Sequence, residues 1–62
     1  MDREGWVDEW IHLFVIDVDG AREFLEAGMM PIARRTDLTD EEFMVEAHAT
    51  GIRLLDEFLN PA

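Results

Sequence analysis

Few residues in this 62-residue chain carry side chains able to do chemistry. There is no cysteine, serine, lysine or tyrosine, so the usual nucleophiles and the Schiff-base amine are missing. Without cysteine there is also no disulfide, no iron–sulfur cluster and no thiolate zinc site. Two histidines remain. Glu9 and His12 stand one helical turn apart, a spacing at which a carboxylate and an imidazole can hold one metal in a bundle core. If Val7, Ile11 and Phe14 face inward, however, Glu9 points away from them. His48 falls on an apolar stripe beside Gly51. It reads as a neutral core imidazole, with a ligand-binding or pH-sensitive role as the rival. Arg34 and Arg35 form the sole basic pair and are expected to neutralise nearby carboxylates. Catalysis by this chain alone is not expected, and no cofactor or metal is assigned.

The run Leu13-Phe14-Val15-Ile16-Asp17-Val18-Asp19-Gly20-Ala21 resembles the first motif of the haloacid-dehalogenase phosphotransferases. The resemblance implies Asp17 as nucleophile and Asp19 as acid/base. It covers nine residues; Ala21 stands where threonine is usual, no lysine is present, and the chain is too short for that family's parallel sheet. The same segment is similar to part of an EF-hand loop, with Asp17, Asp19, Gly20, Glu23 and Glu26 at ligand or turn positions. Val15 would then occupy the first ligand position, and Arg22 the hydrophobic one. A solvated acidic turn is the simpler reading.

The elements that must position these residues are legible mainly in the second half. Thr39 and Glu42 form a capping box, Leu38 and Phe43 a hydrophobic staple, and Asp40, Glu41 and Glu42 suit the positive end of a helix dipole. These signals predict a helix over 39–59, stopped by Asn60 and Pro61. Met44, Ala47, His48, Gly51, Leu55 and Phe58 share one stripe, with Leu54 and Leu59 at its edges. In the first half, Val7, Ile11, Phe14, Val18, Ala21, Leu25 and Gly28 recur at steps of four and three. That periodicity predicts a helix over 5–27, ended by Gly28 and Pro31, with a break near residues 17–20 or a strand over 10–18 as alternatives.

The expected fold is therefore all-α: one small domain forming an antiparallel helical hairpin, or three helices if broken near 17–20, joined through residues 29–38. Pairing sets Phe14 near Leu55, Val18 near Gly51, and Ala21 near Ala47 and His48. Trp6, Trp10 and Phe24 lie off the main stripe. This surplus apolar surface suggests dimerisation into a four-helix bundle, or docking on another protein. The expected interaction face comprises Trp6, Trp10, Phe24, His48, Gly51 and Phe58.

Composition sets the company such a domain keeps. Five arginines face fifteen carboxylates, for a net charge of −10, which repels nucleic-acid phosphate and anionic membranes. The longest apolar run, 10–16, falls far short of the ~20 residues a membrane span needs. The acidic first residues are unlike a signal peptide, so a cytoplasmic location is expected. The function expected is a non-catalytic protein–protein interaction domain, an accessory subunit or inhibitor, acting through an apolar helical face rimmed by carboxylates. The alternatives are an acidic decoy that occupies a nucleic-acid-binding surface, and a small carboxylate/histidine metal bundle.

Overall fold

A computed structural model describes residues 2–14 and 20–61. Among these, three helices form and no strand: α1 (Arg3–Phe14), α2 (Ala21–Ala33) and α3 (Asp40–Leu59). The expected all-α class holds, in its three-helix form. Asp17, Val18 and Asp19, on which the phosphotransferase and calcium-loop resemblances and the Val18–Gly51 contact depend, lie outside the described residues.

Each helix begins where a side chain or a backbone conformation lets it. Asp2 accepts from the Gly5 N–H (3.2 Å), so α1 starts earlier than its apolar pattern suggests. Gly20 precedes α2 with φ 82°, a left-handed conformation that other residues adopt only at a cost of roughly 1–2 kcal/mol. A continuous helix over 5–27 is thereby interrupted at Gly20. Thr39 caps α3: its hydroxyl accepts from Glu42 N–H (3.2 Å), and Glu42 accepts from Thr39 N–H (3.1 Å). The staple closes as well, with Leu38 and Phe43 both buried.

The end of α2 corrects the sequence reading. Gly28 and Pro31 do not stop the helix, which continues to Ala33 and shortens the connection to residues 34–39. Proline there removes the hydrogen bond to the Ala27 carbonyl, typically at a cost of ~3 kcal/mol. Ala27 is exposed, so water can take up that carbonyl. Beyond it, Met29 and Ala33 continue the buried row Ala21, Leu25, Met29, Ala33, and their burial outweighs the break.

The core lies where the three helices meet, built on Val7, Trp10 and Ile11 of α1, the α2 row, and Phe43, Ala47 and Gly51 of α3. Two placements differ from the expected stripes. Phe14 is more than half exposed, and His48 lies at the surface while Phe43 takes the inward position.

A guanidinium ties the first turn of α1 to the α2–α3 connection. Arg3 donates from Nε to Asp40 (3.0 Å), from Nη1 to the Arg35 carbonyl (3.0 Å) and from Nη2 to the Leu38 carbonyl (2.8 Å). It also lies over the Phe43 ring at 5.4 Å.

The capping hydrogen bonds hold the Glu42 carboxyl below the usual carboxylate range, the Thr39 N–H first and its hydroxyl second. A depressed folded-state value means that this stabilisation is present at neutral pH and is lost as pH falls through that value. Thr39→Ala removes one half of the box. Its expected cost is about 1 kcal/mol, read as a fall of roughly 4–8 °C in Tm at neutral pH.

Candidate functional site

The site is a surface between α1 and α3, and its foundation is Gly51. A methyl carbon on Gly51 would lie 2.6 Å from Trp10 Cη2, 2.8 Å from Trp10 Cζ3 and 3.0 Å from Met29 Sδ. The glycine therefore faces Trp10 and Met29; the Val18 contact that the hairpin pairing set there lies outside the described residues. Its missing side chain is the seat of the indole.

Once seated, Trp10 is fixed on three sides. Its Nε1–H donates to His48 Nδ1 at 2.8 Å, and its ring stacks on Phe14 with centroids 4.7 Å apart. Phe14 in turn meets the His48 imidazole edge-on at 6.1 Å. Trp6 packs edge-on against Phe43 at 5.2 Å. An Nδ1 that accepts belongs to a neutral ring whose proton is on Nε2. His48 is thus not the core residue expected. It is a surface imidazole that anchors a buried indole.

Outside this anchor the apolar surface continues. Val45 and Ile52 lie one turn either side of His48 on α3, exposed to 70% and 50%. Leu59 is 54% exposed further along, with half-buried Leu55 between. On α1, Leu13 and Phe14 are exposed to 62% and 54%. Trp6, Glu9, Trp10 and Leu13 line a shallow groove of about 180 Å³. Carboxylates edge the face: Glu9 in the groove, and Glu41, Glu42 and Glu46 around Val45.

The residues read from sequence as one interaction face are divided by the fold. Trp10 and Gly51 are taken into the core, Trp6 and Phe58 are half-buried, and Phe24 and His48 are exposed. Phe24 packs on Phe58 with centroids 5.7 Å apart, away from the Trp10–His48 anchor. Leu13, Phe14, Val45 and Ile52 were not singled out. The step of seven from Val45 to Ile52 to Leu59 was the available signal.

Chemistry of other kinds finds little support in the geometry. Glu9 and His12 are both exposed, and among the described residues no three histidine or carboxylate side chains converge as a metal site would need. Arg34 pairs with Glu4 (3.2 Å), and Arg35 with Asp37 and with Glu46 (3.1 Å). The basic pair is therefore occupied within the chain, and the Arg35 hydrogen bond holds the Asp37 carboxyl below its ordinary range.

Two expectations follow from the anchor. Gly51→Ala improves helix propensity by up to ~1 kcal/mol, yet its methyl collides with a rigid, locked indole. The net effect expected is a loss of about 1–3 kcal/mol, and an unchanged or raised Tm would contradict the seating described. His48→Ala removes the indole's acceptor, so the Trp10 indole N–H resonance should shift in that variant; an indifferent resonance would refute the bond. Comparison of the chain with protein-family profiles, curated proteins and solved structures finds no match.

Proposed function

We propose that this chain is a non-catalytic interaction domain, an accessory subunit or inhibitor, that docks on another protein chain through the α1–α3 face. The observation that carries this reading is the contiguity of Phe14, His48, Val45 and Ile52, with Leu13 alongside, on a chain whose core is already closed without them. Single exposed apolar side chains are ordinary, whereas a continuous group rimmed by carboxylates suits an interface. A helix laid between α1 and α3 would make the fourth member of a bundle. A second copy of this chain and a different protein are both occupants consistent with that arrangement. Among the described residues no helix is long and apolar enough to cross a membrane.

An acidic decoy is the rival reading, and it rests on net charge alone. Five carboxylates among the described residues are engaged by arginines of the same chain, which breaks up the acidic surface a decoy would present. Salt response separates the two, because charge-driven binding weakens steeply with ionic strength and apolar docking does not.

Site-specific photocrosslinking in cells that produce the protein tests the docking face. A photoreactive residue at Ile52 should give an adduct of discrete mass, and one at Ala27, exposed on the side of α2 opposite its buried row, should not. Equal adducts from both positions, or none from either, would defeat the proposal.

A further inference from the structure

We infer that the occupant of the α1–α3 face is a basic amphipathic helix from another protein, not a second copy of this chain; the inference rests on the docking reading above. Its shape argument lies in α3. Val45, His48, Ile52, Leu55 and Leu59 follow one another at steps of three and four, the spacing of a two-stranded helical seam. This seam sits about 120° around α3 from the row Phe43, Ala47 and Gly51 that faces the core. One helix thus carries two stripes, one consumed by the fold and one outside it except at Leu55, which also packs on the core. The outer stripe spans 15 residues, about 22 Å of helix. Phe14, packed on His48 from α1, walls one side and turns the seam into a shallow trough. An extended strand has no means of matching a three–four spacing, whereas a helix does.

Charge decides which helix. Within this chain, Arg3, Arg22, Arg34 and Arg35 are committed to Asp40, Glu26, Glu4, Asp37 and Glu46. The carboxylates that border the seam have no such relief: Glu41 one turn before Val45, Asp56 one turn after Ile52, and Glu9 in the α1 groove make no ion pair among the described residues. A second copy would set this rim against an identical rim and bring −10 to −10. The one other arginine, Arg53, is exposed about 120° away from the seam and cannot offset that repulsion. A helix with lysine or arginine flanking its apolar row supplies what the rim lacks, while like-charged partners are rejected.

His48 adds register. With Nδ1 taken by Trp10, its Nε2–H is the single polar donor in the seam, and a polar group at a seam position fixes axial alignment. A partner carrying an acceptor opposite is favoured over an all-apolar one.

The native tryptophans make the test direct, because Trp6 and Trp10 line the groove beside the seam. The probe is a synthetic tryptophan-free peptide of three heptads, with leucine at the seam positions and lysine on both flanks. It is titrated into the full chain and read by tryptophan fluorescence. Two control peptides carry the same composition scrambled so that no apolar row exists, or glutamate in place of lysine. The lysine peptide should saturate at one per chain, and both controls should bind at least about tenfold more weakly, a difference of 1.4 kcal/mol. Ile52→Asp and Val45→Asp should each weaken the lysine peptide at least about tenfold, while Ala27→Asp on the outer side of α2 should not. All three positions are exposed, and a thermal melt of each variant confirms that the fold persists.

Equal binding of the scrambled peptide would reduce the effect to charge attraction and overturn the inference. So would failure of the lysine peptide to bind. Sedimentation equilibrium of the chain alone supplies the last arm. A micromolar dimer abolished by Ile52→Asp would hand the face to a second copy, overturning this inference while leaving the docking face in place.

Discussion

The absence of a side chain at Gly51 is the constraint on which the rest depends. The space it leaves admits the Trp10 indole, and with it α1, against the middle of α3. Were that space filled, α1 would stand off and uncover Val7 and Ile11, which are now almost wholly buried. A glycine inside a helix costs up to ~1 kcal/mol relative to alanine. Burial of a large aromatic ring and its hydrogen bond to His48 more than offsets that. The seating also has an outward effect. Because Trp10 turns its N–H toward His48, the imidazole is held at the surface, and Phe14 gathers beside it instead of turning into the core.

The charges are distributed by a related logic. A chain of net charge −10 must keep its carboxylates apart, and its arginines are spent where elements join. Arg3 and Arg34 tie α1 to the connection and to α3, Arg35 spans the connection and α3, and Arg22 supports its own helix. Isolated surface pairs contribute little, typically under ~1 kcal/mol. Arg3 differs because its planar fork serves two carbonyls and a carboxylate at once, a geometry lysine cannot copy. With the cations drawn to the junctions, the face between α1 and α3 is left apolar in the middle and acidic at its border.

How far the sequence foretold this varies by element, for physical reasons. The start of α3 was legible because its cap, staple and acidic first turn are all local. Its inward face was only half legible: the stripe drawn through Met44, His48, Gly51 and Leu55 blended two faces, one bound for the core and one for the surface. The pattern from Val7 to Leu25 supplies inward residues at Val7, Ile11, Ala21 and Leu25, but it misplaced Phe14, and of its two forms the one broken near 17–20 holds. Nothing in periodicity alone reports a left-handed Gly20. At Pro31 local propensity lost to packing, although the fourfold recurrence of Ala21, Leu25, Met29 and Ala33 was present to be read. The Trp10–Gly51 and Arg3–Leu38 partnerships join residues more than thirty positions apart, and no local signal encodes them.

The position of Met29 gives this small fold a chemical timer. Its sulfur lies against Gly51 and Trp10's neighbourhood, fully withdrawn from solvent, whereas Met30 and Met44 are partly accessible. An oxidant in solution reaches the Met29 thioether only while the helices around it are parted. Each such opening is then open to capture as a sulfoxide, whose polar oxygen has no room and no donor in the closed core. Across a population of chains, the fraction oxidised at that one atom therefore follows how often the core opens, and a chain once oxidised closes less readily.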